Sequence, residues 1–323
     1  MTEPDAAPLA RFQSPDVEIA YAEAGPADGE LVILLHGFPE FWRGWRNQIA
    51  GLAAAGFRVV VPDQRGYGSS GKPAGISSYD LDVLAEDVAA LARHLGHERF
   101  AVVGHDWGAS VAWWLATRHP ERLSRLVVLN APHPSVWREA MDGNWRQWLK
   151  SLYVRILRLP RLPEAMVRAR NFKALADALA PAGLPAEELA RYRAAWAEPG
   201  ALTGMINWYR AFLAKRLPPA ASLDIAVPTL VIWATATPSP CPRSPRPARR
   251  CAAMRASCTS RRRRIGCTMS RRNGSARWSG TSSARRKAAD SRLPVQAPGR
   301  LHRYLPEIGS DLQRFDGFAG GRA

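Results

Sequence analysis

The sequence predicts an α/β fold: a mostly parallel sheet covered by helices on both faces, with a helical segment inserted between two of its strands. Three observations carry this expectation. Short apolar runs alternate with amphipathic helical spacing along the first 130 residues. Strand-like runs then stop between Asn130 and Pro228, and one more follows. Finally, one run leads directly into Gly104-His105-Asp106-Trp107-Gly108, the pattern of a sharp strand-to-helix turn.

Taken in order, Val17, Ile19 and Tyr21 alternate as a half-buried strand does. Residues 31–35 are a continuous apolar run, as a strand covered on both faces requires, and 57–61, 100–103, 126–129 and 229–233 are further mostly apolar strand candidates. Helical spacing lies between them at about 42–54, 81–95 and 109–119. The segment between Asn130 and Pro228 is rich in Arg, Leu, Ala and Trp and is broken by prolines at 160, 163, 181, 185 and 199. The expected organisation is a core over 1–134, a helical cap over 135–220, a returning core strand over 221–233 and a tail over 234–323. A cap above the carboxyl ends of the strands would close a pocket there and exclude bulk water.

The formal net charge of +17 invites a nucleic-acid reading, but its distribution argues against one. Residues 1–233 hold 25 Lys and Arg against 24 Asp and Glu, whereas 234–323 hold 20 against 4. A tail of this kind binds nucleic acid without selectivity. It has no aromatic beyond Trp278 before its last helical stretch and no recognition motif, so no specific nucleic-acid partner is expected. The four cysteines, at 241, 251, 258 and 267, fit neither paired zinc ligands nor a redox motif, and neither metal nor cofactor is expected. The N-terminus lacks the basic-then-apolar layout of a signal peptide, and no run approaches the ~18 apolar residues of a membrane span. A cytoplasmic protein with no membrane partner is the resulting expectation.

Asp106 stands where such a turn usually presents a nucleophilic serine. Gly104 and Gly108 allow the tight turn and the close seat of the following helix, which pushes residue 106 out at the strand's end. A carboxylate there attacks an electrophilic carbon and leaves an ester that water must cleave, which suits epoxides or alkyl halides. The helix N-terminus favours its ionised form. His105 is expected to point elsewhere. The turn His36-Gly37-Phe38-Pro39 follows a strand end and can aim the Phe38 N–H into the same pocket as the Trp107 N–H, making a two-donor oxyanion hole. His36 is read as a structural turn histidine rather than a base. Pro39 fixes its own φ, and its peptide bond can be cis.

Four stretches, in order, resemble the α/β-hydrolase fold and, within it, the epoxide hydrolases. They are His36-Gly37-Phe38-Pro39-Glu40-Phe41-Trp42, Asp63-Gln64-Arg65-Gly66-Tyr67-Gly68-Ser69-Ser70, Gly104–Gly108 in numbers 104–108, and Asn207-Trp208-Tyr209-Arg210. The resemblance spans about residues 15–233. It implies Asp106 as nucleophile, Phe38 and Trp107 as oxyanion donors, and two cap tyrosines that protonate the opened epoxide, matched by Tyr209 and Tyr153. The plainer role for either tyrosine is a packed aromatic with a satisfied hydroxyl. Haloalkane dehalogenases share the Asp-Trp turn but usually carry a halide-binding Asn where Phe38 stands, so an epoxide substrate and water are favoured over a halide.

The family places an acid shortly after the strand at 229–233 and a histidine after one further strand, and neither appears. The histidine is the base that activates water, and the acid fixes its tautomer. Beyond the cap only His302 remains, without the family's neighbours. After Trp233 the chain turns to Pro, Ser, Arg and Cys, a composition that favours disorder; only 301–315 has helical spacing. A shifted reading frame accounts for both gaps. Regrouping codons for Ala234-Thr235-Ala236-Thr237 permits Gly-Asp-x-Asp, and the same shift over 264–271 permits His-Trp-x-His-x-Glu-Pro. Read literally, the chain captures an epoxide without releasing it. The reading from another class is an inactive α/β scaffold with a basic nucleic-acid-binding tail.

Overall fold

The computed structural model describes residues 9–143, 156–220, 223–235 and 253–259. Eight strands are described, and those at 30–35, 57–62, 100–105 and 123–129 bury their apolar side chains. They are β1 (Ala10–Gln13), β2 (Glu18–Ala24), β3 (Glu30–Leu35), β4 (Phe57–Pro62), β5 (Phe100–His105), β6 (Leu123–Leu129), β7 (Thr229–Thr235) and β8 (Ala253–Thr259). They make one sheet in the order β1-β2-β4-β3-β5-β6-β7-β8. β4, β3, β5, β6 and β7 run parallel, while β1, β2 and β8 add antiparallel pairs at the two sides. Leu31 to Leu35 in β3 are wholly buried. Each such side chain contributes about 1.5–3 kcal/mol when withdrawn from water, so the sheet centre anchors the fold.

A 3₁₀ turn at Trp42–Trp45 leads into α1 (Arg46–Ala54); α2 spans Leu81–His94 and α3 spans Trp107–Arg118. Asp80 caps α2, its carboxylate accepting the Asp82 N–H at 2.9 Å. Between β6 and β7 lie α4 (Pro134–Gly143), α5 (Leu162–Leu179), α6 (Ala186–Ala197) and α7 (Ala201–Ala214). α5 is interrupted at 169–172, where φ is positive at Arg170, Asn171 and Phe172. Among the described residues, no helix is long and apolar enough to cross a membrane.

The inserted helices are tied to the sheet layer by specific polar contacts. Trp208 Nε1 donates to the Arg65 carbonyl at 3.1 Å, and Trp196 Nε1 donates to the Pro39 carbonyl at 2.7 Å. Glu188 of α6 accepts from Arg43 at 2.5 Å. Lys215, just past α7, donates to Asp80 at 2.6 Å and to Asp82 at 2.8 Å. The loop after β4 is held from within: Asp63 accepts the Trp42 and Ser69 N–H groups at 2.8 and 2.7 Å. Arg65 is gripped by Asp87 at 2.5 Å and Asp16 at 2.8 Å.

Two strands depart from expectation. β1 lies before the alternating stretch, and β8 falls inside the segment expected to lack structure. β8 pairs with β7 from Thr229↔Thr259 to Thr235↔Ala253. An antiparallel ladder asks only for backbone donors and acceptors, and 253–259 is free of Pro and Gly, so a strand forms without an apolar signature. Tyr153, His302, the helical stretch at 301–315, the regrouped segment at 264–271, Ala236 and Thr237 of the other, and Cys241, Cys251 and Cys267 lie outside the described residues, while Ala234 and Thr235 end β7.

Candidate active site

β5 ends at His105 and α3 begins at Trp107, leaving Asp106 between them with φ 52° and ψ −118°. A non-glycine residue at positive φ is strained, and the neighbouring glycines are what the surroundings demand in return. A Cβ on Gly108 would lie 2.2 Å from the Leu35 carbonyl oxygen, and one on Gly104 would lie 2.4 Å from the Gly108 oxygen. α3 therefore packs against β3 and β5 at backbone distance.

The loop after β3 meets this turn. The Phe38 N–H donates to Asp106 Oδ1 at 2.9 Å, and the Trp107 N–H is a second backbone donor to the same carboxylate. Gly37 makes the approach feasible, since a Cβ there would fall 2.4 Å from Asp106 Cβ. The Phe38–Pro39 peptide is cis. His36 is fully buried; its Nε2 accepts the Gln64 N–H at 3.1 Å, so Nδ1 carries the proton and donates to the Gly37 carbonyl at 3.1 Å. Burial holds its pKa down to about 4, so the ring is neutral at pH 7.

Burial raises the Asp106 pKa above the ordinary carboxylate value, against the opposing pull of His105 and of the Phe38 and Trp107 N–H groups. Desolvation thus outweighs the favourable helix terminus. The expectation for His105 is corrected. It lines the same cavity as Asp106, and its Nδ1 lies 3.4 Å from Glu40 Oε2. Burial would lower the His105 pKa, but the bond to Glu40 and the charges of Glu40 and Asp106 prevail and raise it. Strand alternation gives only the face of a residue within the sheet; at the last strand position, both faces open onto the loops that build the cavity.

The cavity has a volume of about 280 Å³. Phe38, Pro39, His105 and Asp106 form its floor, α5 covers it with apolar side chains such as Met166 and Leu175, and Tyr209 of α7 completes the wall. The Tyr209 ring meets Trp107 edge-on at 4.9 Å and Phe38 at 5.4 Å. Asp106, Phe38, Trp107 and Tyr209 are therefore brought together, with His36, Gly37, Gly104 and Gly108 shaping the backbone around them. Glu40 was part of a quoted motif but had no role assigned from sequence. Among the described residues, no group of three or more His, Cys, Asp or Glu could hold a metal ion.

A family model for the alpha/beta hydrolase fold matches residues 30–239. Epoxide hydrolase 4 of Mus musculus is 36% identical over 232 residues, which cover 69% of this chain. The chain belongs to the epoxide hydrolase group of the α/β-hydrolase family. This α/β-hydrolase chain spans 64% of the mouse protein's length. It is also 46% identical over 221 residues to the AB hydrolase superfamily protein YfhM of Bacillus subtilis, covering 67% of this chain and 77% of that one. Among solved structures, the Bacillus megaterium epoxide hydrolase in complex with an inhibitor superposes with a TM-score of 0.62 at 31% identity, covering 69% of this chain and 82% of that one. An epoxide hydrolase from metagenomes of hot environments gives 0.62 at 35%, covering 70% and 81%.

Proposed function

We propose that this chain opens an epoxide through an ester on Asp106, the route to a vicinal diol. The observation that carries the reading is the placement of Asp106 Oδ1 2.9 Å from the Phe38 N–H, with Tyr209 lining the same largely apolar cavity. The Asp106 carboxylate attacks an epoxide carbon and the carbon–oxygen bond breaks. Tyr209 donates the proton that the resulting alkoxide needs, and Tyr153 is assigned as the second phenol. The helices between β6 and β7 act as the cap that excludes bulk water. When water later adds to the ester carbonyl, the Phe38 and Trp107 N–H groups bind the oxyanion; a donor in a comparable site contributes about 3 kcal/mol.

The acid and base that the family draws from beyond the strand at 229–233 belong, in this reading, to a frame displaced directly after Trp233. The end of the family match at residue 239 supports it. Resequencing the coding region around Trp233 tests this directly, and an unbroken frame there would remove the displacement.

The ester is tested by mixing the full chain with a labelled epoxide and mapping adducts by mass spectrometry. One adduct on Asp106 is expected. Absence of both adduct and diol would defeat the proposal, and release of halide from an alkyl halide without diol formation from epoxides would point to a dehalogenase instead.

A further inference from the structure

Large apolar side chains stand exposed at few places among the described residues, and four of them, Ile156, Leu159, Leu162 and Met166, fall between residues 156 and 166. Ile156 and Met166 also line the cavity that holds Asp106, at 38% and 54% exposure, so this segment forms part of its mouth. A fifth, Ile76, shares a neighbouring surface pocket with Arg158 and Arg161 of the same segment. Scattered apolar residues are ordinary on a surface, but a contiguous group at a cavity mouth marks an interaction site. The segment is also fixed: Arg210 donates to the Leu157 carbonyl at 2.9 Å and to the Leu159 carbonyl at 2.7 Å.

Charge narrows the partner. Residues 156–170 carry Arg158, Arg161, Arg168 and Arg170 against Glu164 alone, and Arg210 neutralises Glu164 through an ion pair at 2.8 Å. All four arginines are exposed, and none has an ion pair among the described residues. Apolar side chains set among unpaired arginines match the boundary between the headgroups and acyl chains of an anionic lipid surface, which takes both at once. A second copy docked about a twofold axis would bring the same arginines face to face. A nucleic acid would satisfy the arginines and leave the apolar side chains without a partner.

We infer that the mouth of the cavity rests on an anionic lipid surface, with Leu159, Leu162 and the outer part of Met166 entering the interface and Arg158 and Arg161 meeting the headgroups. The sequence expectation of no membrane partner rested on the lack of a span and of a leader, and a surface of this kind needs neither. Docking sets the cavity against the phase in which an apolar epoxide dissolves, so the substrate reaches Asp106 from lipid rather than from water. That last step rests on the reading that Asp106 takes an epoxide; the docking itself does not. Each arginine near such a surface strengthens partitioning roughly fivefold, and burying the exposed half of a leucine side chain contributes a similar factor.

The test is vesicle flotation of the full chain with no epoxide present, using phosphatidylcholine vesicles with and without phosphatidylglycerol. Wild type should float with the mixed vesicles and far less with pure phosphatidylcholine. The paired substitution Leu159→Ser with Leu162→Ser should lower the partition coefficient on mixed vesicles about 10- to 30-fold, and Arg158→Gln with Arg161→Gln by a similar amount. The basic stretch over 234–323 also attracts anionic lipid, but that attraction does not depend on Leu159 or Leu162, so the leucine pair reports on the mouth alone. Equal flotation of wild type and the leucine variant would overturn the proposal, as would a wild type that stays with the buffer. Self-association without vesicles, seen by sedimentation velocity and abolished by the leucine pair, would overturn it in favour of a second copy. None of the four side chains touches Asp106, so the Asp106 adduct from a water-soluble epoxide should form in both variants as in wild type. Absence of that adduct from every chain would count against the ester reading alone, because the vesicle comparison uses no epoxide.

Discussion

Phe38 and Asp106, 68 positions apart, are joined by a 2.9 Å hydrogen bond from the backbone of one to the carboxylate of the other. The sheet makes this contact unavoidable. β3 and β5 run parallel as neighbours with Leu35 opposite Gly104, so the loops that leave them start at the same height and meet over the same edge. Ligand sites of open parallel sheets form at the carboxyl ends of strands for this reason. Donor and acceptor are set by strand register rather than by loop flexibility.

Tyr209→Phe should separate the tyrosine's chemistry from its packing. The ring would keep its edge contacts with Trp107 and Phe38 at 4.9 and 5.4 Å, so stability should change by less than about 1 kcal/mol. Loss of the acid should slow ester formation about 10²- to 10³-fold, read by single-turnover mass spectrometry. Unchanged ester formation would leave Tyr209 as a packing residue only.

Gly108→Ala should be far more damaging than its size suggests. Its Cβ would lie 2.2 Å from the Leu35 carbonyl oxygen and 2.6 Å from that of His36, both backbone atoms in or beside a central strand. Relief requires moving α3 away from the sheet, at a cost above about 4 kcal/mol. Thermal melts and soluble yield would register it. Gly75→Ala is the control: no atom lies within 4 Å of its Cβ, and only its φ of +91° opposes the change, for about 1–2 kcal/mol. Equal melting temperatures for the two variants would contradict the backbone-contact account.

How much of this was legible in the sequence follows from the range of the forces involved. The runs at 31–35 and 100–103 announced buried strands because burial on both faces leaves a continuous apolar signal, and the glycines at 104 and 108 announced the turn because only they fit. Asp106, Phe38 and Trp107 were expected together from the two turns and Tyr209 from resemblance, and their positions show proximity: the Phe38 N–H at 2.9 Å from Asp106 and the Tyr209 ring against Trp107 and Phe38. β1 and β8 escaped because edge pairing uses backbone groups that every sequence carries. The Glu40–His105 pair escaped for a different reason: it joins a loop to a strand end, and no periodicity reports a contact that depends on how two loops fold over the sheet.

Lys215→Met should weaken the tie between α7 and the sheet layer. The ammonium donates to Asp80 and Asp82 and lies 5.4 Å from the Trp114 ring, while Trp114 Nε1 donates to Asp82 at 2.7 Å. The two carboxylates are partly open to solvent, so screening limits the loss to about 1 kcal/mol. Urea melts at low salt should show that loss, and high salt should narrow it. A difference independent of salt would assign the effect to packing on Trp114.

The acid limb of stability should pass through His133. Its Nδ1 accepts the Ser135 N–H at 3.1 Å, and Thr117 Oγ1, already donating to the Trp113 carbonyl, accepts from Nε2 at 3.1 Å. The second proton has no acceptor, and burial holds the pKa down to about 4 from 6.5. Because the folded value lies below the unfolded one, the stabilisation is complete above pH 6.5 and is lost as pH falls toward 4. Between pH 7 and 4.5 the loss is about 2 kcal/mol, and His36, also at about 4, adds a similar amount. Asp63 acts with the opposite sign. Burial raises its carboxyl to about 6, so the folded state binds that proton more tightly than the unfolded chain, and acidification over the same interval returns about 2 kcal/mol. These three groups leave a net loss of about 2 kcal/mol, the size of the His133 contribution alone. His133→Asn keeps a hydrogen-bonding side chain without the titration, so it should flatten the difference between urea melts at pH 7 and pH 4.5. A variant that retains the wild-type pH difference would show that His133 does not set it.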